Sequence, residues 1–208
     1  MEQTTRPVIL YNISVELPLQ RIYTRLGFRK TTTKLHEAEQ IKIQRILADG
    51  VISCHLSGVY VRRKIEKHEA QTIVLEDGMT WESKKIAEFL SEVHEVFILG
   101  ATAGQEIVAL RDQHLEQGKT LNAVLLDALA SEMVESAVQW LHEYLGKCLR
   151  KELKTVTKRR YSPGYGDFSL YHQRAIVSLL QFDELGVQLN EYCLLIPEKS
   201  VTAVVGIL

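Results

Sequence analysis

The residues of this chain best suited to chemistry are gathered in one short stretch, Arg160-Tyr161-Ser162-Pro163-Gly164-Tyr165-Gly166-Asp167. Pro163 sets φ for the second residue of a turn, and Gly164 allows the positive φ that a type II turn needs next. Ser162 to Tyr165 is therefore a well-specified tight turn, holding backbone N–H and C=O groups at fixed positions between two aromatic side chains. Arg160 beside it offers a planar fork suited to a carboxylate. Backbone groups, an aromatic face and a guanidinium can together grip an adenosyl amino acid. The same residues also make a rigid connection between two helices with the tyrosines in the core, and both readings stand at this point.

A second set of polar side chains lies on the segment before it. From Leu121 to about Lys154 there is no proline and only Gly146, so a long helix is predicted. At about 100° per residue, Leu129, Met133, Ala137, Trp140, Leu141, Tyr144, Leu145 and Cys148 share one side. Glu132, Glu135, Gln139, His142 and Glu143 share the other, a carboxylate-rich face expected to meet solvent. Glu135 is on this reading either a solvated acid or a ligand for a cationic group.

Other patterns argue against common chemistries. His36-Glu37 and His142-Glu143 open like a zinc-protease helix, but Gln40 and Gly146 stand where the second histidine belongs, so solvated histidines are expected. Gly100-Ala101-Thr102-Ala103-Gly104 is a glycine-rich strand-to-helix turn that could offer amides to an anion. Gln105-Glu106 follows it where a phosphate loop needs Lys-Ser/Thr, so it reads as a structural turn. Cys54, Cys148 and Cys193 form no CxxC pair, which disfavours a disulfide framework, an iron–sulfur cluster or a cysteine-rich zinc site; they read as buried small apolar residues.

The elements that must position these residues are mixed. Helical spacing covers Leu17 to Leu26 and Leu35 to Ala48, with Asp49-Gly50 as a stop. Gly58 to Ile65, Thr72 to Leu75 and His94 to Leu99 read as strands, with turns at Glu66 to Ala70 and Asp77-Gly78. Helices follow from about Glu82 to Leu90 and Ile107 to Leu115, with Gly118 ending the latter and Thr120 capping the long helix. A short helix from Leu170 to Leu180, capped by Asp167 or Ser169, precedes two β-rich runs in Glu191 to Leu208. The expectation is a single α+β domain over residues 1–208, a mainly antiparallel sheet packed with helices, one of them long and central. Length 208, 46% apolar, 25% charged and net charge -1 give no basis for nucleic-acid binding. No apolar stretch approaches the roughly 18–20 residues of a membrane span, and Met1 to Pro7 carries no signal-peptide core, so a cytoplasmic protein is expected.

Arg160 to Tyr165 resembles the Arg-x-x-x-Gly-Tyr signature of the activation domain of cobalamin-dependent methionine synthase. Leu129 to Ala137 followed by Trp140-Leu141-His142 is similar to that domain's central helix. Pro197-Glu198-Lys199-Ser200-Val201 resembles its Pro-x-x-Ser-Val segment, and Gly100 to Gln105 the Thr-x-Gly turn of short members. The four motifs fall in the family's order across residues 100–208, while residues 1–99 are divergent. The resemblance implies a free-standing S-adenosylmethionine-binding protein that supports reactivation of a cobalamin-binding methionine synthase subunit in trans. It places Arg160 on the ligand's carboxylate, Glu135 on another polar part, and Tyr165 with the backbone around Ser162 and Gly164 along the adenosine. Cobalamin would be carried by the partner, an external donor, flavodoxin-like, would reduce it, and S-adenosylmethionine would remethylate it. The family's further acidic ligand has no assignable counterpart in residues 1–99. The alternative is a docking module for a corrinoid protein that binds no methyl donor.

Overall fold

The computed structural model describes residues 6–29 and 36–208; Met1–Thr5 and the expected helix start at Leu35 lie outside the described residues. In chain order the first elements are β1 (Val8–Leu10), α1 (Leu19–Arg25), α2 (Glu37–Ile52), β2 (Ser57–His68), β3 (Thr72–Leu75), β4 (Thr80–Glu82) and α3 (Lys84–Phe89). They are followed by β5 (Glu95–Thr102), α4 (Gln105–Glu116), α5 (Thr120–Leu149), α6 (Gln173–Leu180), β6 (Gln188–Leu189), β7 (Leu195–Ile196) and β8 (Ser200–Ile207).

The β-branched runs build one antiparallel sheet in the order β4-β3-β2-β5-β8, with β1 beside the start of β2. Side chains alternate between its faces. Phe97, Leu99 and Ala101 of β5 pack under α1, α2, α4 and α5, whereas Val96 and Ile98 face α3 and α6. A strand buried on both faces reads as an unbroken apolar run, as β5 does. Each fully buried Phe or Ile in it contributes about 1.5–3 kcal/mol. The architecture is α+β, as expected, with the long helix central.

Several local expectations fail for packing reasons. Gly50 does not stop α2; a Cβ there would lie 2.5 Å from Leu129 and 2.6 Å from Leu126, so the glycine marks the close crossing of α2 over α5. Gly100 lies within β5, where the Phe182 ring comes 2.8 Å from the place of a Cβ; the turn itself falls at Gly104, with φ +87°. Thr120 is the first residue of α5, and Lys119 holds the N-cap position with no side-chain cap. The polar face of α5 is only partly wet. Glu132 and His142 are buried on it, because α1 covers the first and the chain after Leu153 covers the second. Of the cysteines only Cys193 is buried; Cys54 and Cys148 are half-buried, all three are free, and burial pushes the Cys54 thiol up to about 12.

Candidate functional site

The site is assembled where the chain turns back along α5. After α5 ends, residues 155–161 pair with the edge of β8: Thr155 with Leu208, Thr157 with Gly206 and Tyr161 with Val204, through backbone hydrogen bonds. Between the last two pairs β8 moves from residue 206 to 204 while the incoming chain moves from 157 to 161. The surplus makes a bulge, and a bulge re-aims side chains. Lys158, Arg159 and Arg160 lie on it and line the groove beside α5. His142 fastens its base, its Nε2–H donating to the Thr157 carbonyl over 2.9 Å. Burial lowers the pKa of His142, which keeps the imidazole neutral near pH 7.

Arg160 is thereby carried to α5. Its Nη1 donates to Gln139 Oε1 at 2.6 Å, and its Nη2 stands 3.5 Å from Glu135 Oε2. Burial lowers the guanidinium's pKa and the Glu135 charge raises it; the group stays cationic at any physiological pH. The second distance is long for a hydrogen bond, so the charges face each other without being locked.

The turn follows at once. Gly164 has φ +91°, and the Tyr165 N–H donates to Ser162 at 3.3 Å, the geometry Pro163-Gly164 predicts. The Gly164 N–H donates to Phe168 at 2.7 Å, so these amides are engaged inside the turn itself. The turn contributes shape and the ring of Tyr165, which is 69% exposed. Gly166 likewise has a positive φ, +58°, and a Cβ there would lie 2.7 Å from the Tyr161 hydroxyl, which donates back to the Tyr165 carbonyl. Asp167 then anchors the loop to α3, accepting from the Ser83 hydroxyl and the backbone N–H groups of Lys84 and Lys85. The Ser83 hydroxyl and those amides hold its carboxyl below the usual carboxylate range.

Between α5, the bulge, the turn and β8 lies a groove of about 680 Å³. Glu135, Arg160, Ser162 and Tyr165 all line it, with Phe89, Gln173 and Thr202 at its walls. Gln173 and Thr202 are buried and satisfy one another: the Thr202 hydroxyl donates to Gln173 Oε1 at 2.8 Å, and Gln173 Nε2 donates to the Cys193 carbonyl. The strand-to-helix turn meets the C-terminal motif here, since the Ser200 hydroxyl, at the groove, donates to Thr102 at 2.8 Å. Among the described residues no cluster of His, Cys, Asp or Glu could hold a metal ion, and no helix is long and apolar enough to cross a membrane.

A sequence model of a protein family, the activation domain of vitamin B12-dependent methionine synthase, matches residues 32–207. The chain belongs to that family. Among solved structures it is similar to the MetH reactivation domain bound to AdoHcy, with TM-score 0.66 and 17% identity, over 97% of this chain and 78% of the other. At that identity the likeness concerns the fold. Comparison with curated protein sequences gives no match.

In this activation domain the five residues singled out from sequence come together: four line the groove, and Gly164 forms the turn between two of them. Sequence reasoning gave no site role to Gln139, His142 or Asp167; Asp167 is expected there only as a cap of the following helix, a place that Ser169 takes by accepting from the Tyr171 N–H. Gln139 was detectable, lying four residues after Glu135 and so beside it on the helix. His142 and Asp167 act through contacts distant in the chain and carried no local signal. Residues 1–99 supply the α3 cap and Phe89 to the site, although they hold none of the motifs.

Proposed function

We propose that the groove binds S-adenosylmethionine and that the protein presents it, in trans, to the cobalamin of a methionine synthase partner. The observation that carries this reading is the unlocked Glu135–Arg160 pair at the groove, in a chain of the activation-domain family. The AdoHcy in the related MetH reactivation domain supports it, as the ligand's demethylated form.

The residues present fit the ligand. S-adenosylmethionine carries a carboxylate, an ammonium and a sulfonium, and the groove offers a guanidinium with open donors, a half-exposed carboxylate and an exposed aromatic ring. Arg160 would hold the carboxylate through paired charge-assisted hydrogen bonds. Glu135 would answer a positive group, and Tyr165 with the Ser162–Gly164 backbone would flank the adenosine. When bound, the ligand supplies the methyl group for a partner's cobalamin that an external, flavodoxin-like donor has reduced. The chain's own part is to bind, orient and shield the ligand.

Calorimetry of the purified chain with S-adenosylmethionine tests the binding step, and saturable stoichiometric binding is expected. The step in trans is tested by restoring an oxidised synthase with reductant and S-adenosylmethionine, with and without this chain. Equal restoration without it removes the assigned role. Association with the synthase but no ligand binding identifies a docking module instead.

A further inference from the structure

We propose that Gln139 is a positioning and specificity-determining residue of this groove, whose neutral amide aims Arg160 while leaving its charge available to a ligand carboxylate. The inference rests on the binding reading above and goes one residue further. The Arg160 guanidinium has a closer partner than Glu135: Gln139 Oε1, at 2.6 Å. Gln139 is itself fixed, because its Nε2 donates to Glu143 Oε1 at 2.8 Å one turn further along α5. The result is a chain of contacts, Glu143 to Gln139 to Arg160, that fixes the Nη1 end of the fork against the helix. Nη2 is left facing Glu135 at 3.5 Å and the groove beyond.

The choice of an amide matters. The amide oxygen of Gln139 accepts from Arg160 and orients the guanidinium, but it contributes no negative charge. A carboxylate at the same position would accept in two places and form a full ion pair with Arg160. Together with Glu135 it would surround the guanidinium with acid, and an incoming carboxylate would have to displace a like charge. A neutral residue here therefore selects for ligands that bring their own carboxylate.

The test pairs two ligands, S-adenosylmethionine and its decarboxylated form, which keeps the sulfonium and the amine. Gln139→Glu should weaken binding of S-adenosylmethionine about two- to fivefold, as competition from a half-exposed ion pair predicts. The same variant should bind the decarboxylated ligand as well as the parent does, or more tightly, because that ligand is purely cationic. Gln139→Ala, which removes the anchor without adding charge, should weaken S-adenosylmethionine by a smaller factor and leave the decarboxylated form unchanged. Melting curves check that both variants are folded, as expected for an exposed helix position. Opposite responses of the two ligands support the proposal. A Gln139→Glu variant that tightens both ligands shows only a general charge effect and overturns it, as does one that weakens both equally. A parent chain that binds neither ligand overturns the binding reading together with this inference.

Discussion

Two glutamates on α5, three residues apart, show how the same chemistry can be built for opposite ends. Glu132 has 10% of its side chain exposed, accepts from Arg25 at 2.7 Å and lies 3.5 Å from Arg21. Both arginines come from α1, and Arg21 also reaches the Ser136 hydroxyl, so the cluster ties the first helix to the long one. Glu135 has 46% of its side chain exposed and faces one arginine at 3.5 Å, whose better partner is a neutral amide. A carboxylate whose lone pairs are engaged by the protein is a structural tie, since removing it leaves charged donors without a partner. A carboxylate held near a cation without good hydrogen-bond geometry loses little when a ligand comes between them. On the proposed reading, it is the incomplete pair on this helix, rather than the complete one, that receives a ligand.

The largest effect should come from removing the cation on the groove side. Arg160→Ala should cost about 2–4 kcal/mol of S-adenosylmethionine affinity, with Arg160→Lys intermediate because an ammonium lacks a planar pair of donors. Adenosine, which has no amino-acid tail, should bind both variants much like the parent. Parental affinity in Arg160→Ala would place the site elsewhere.

Next is the crossed experiment on the two glutamates. Glu132→Ala should lower unfolding stability in urea by about 1–2 kcal/mol, less than a fully buried pair because its arginines are half exposed, and leave ligand affinity near parental. Glu135→Gln should do the reverse, weakening S-adenosylmethionine while Tm stays put, glutamine being a comparable helix former. If both substitutions moved the same observable, the distinction between tie and receptor would be lost.

The smallest effect concerns the anchor behind the turn. The Asp167 carboxyl is held below the usual range by Ser83 and the α3 amides, so its stabilisation is present above the ordinary carboxylate value of about 3.9. It fades as pH falls through the lowered folded-state value. The Tm gap between the parent and Asp167→Asn should therefore be open at pH 7 and close in acid. A gap that is constant with pH would show that the carboxylate's charge is not what anchors the loop.

What the sequence revealed follows from how local each signal is. The Pro163-Gly164 turn, the Thr72 to Leu75 strand and the length of α5 were legible because backbone stereochemistry and apolar periodicity act within a few residues. The Glu132 and His142 surroundings were not. Both lie on the polar side of an amphipathic pattern, and they became buried only because Arg21, Arg25 and the Thr157 carbonyl came from distant parts of the chain. Gly50 failed for a related reason, since a glycine at a close helix crossing and one at a helix stop look alike in one dimension. The candidate site residues were selected through a turn motif and a family resemblance, and the supports around them required the fold.

The anchoring of Asp167 on α3 has a practical meaning for anyone who would transplant this groove into another protein. Excision at residue 100, where the motifs legible in the sequence begin, would carry Arg160 and the turn but leave behind the Ser83 hydroxyl, the amides of Lys84 and Lys85, and Phe89. The graft would hold the right sequence on a slack hinge. A chimera between relatives should instead exchange residues 83–89 and 160–168 as one cassette, although more than seventy positions separate them along the chain.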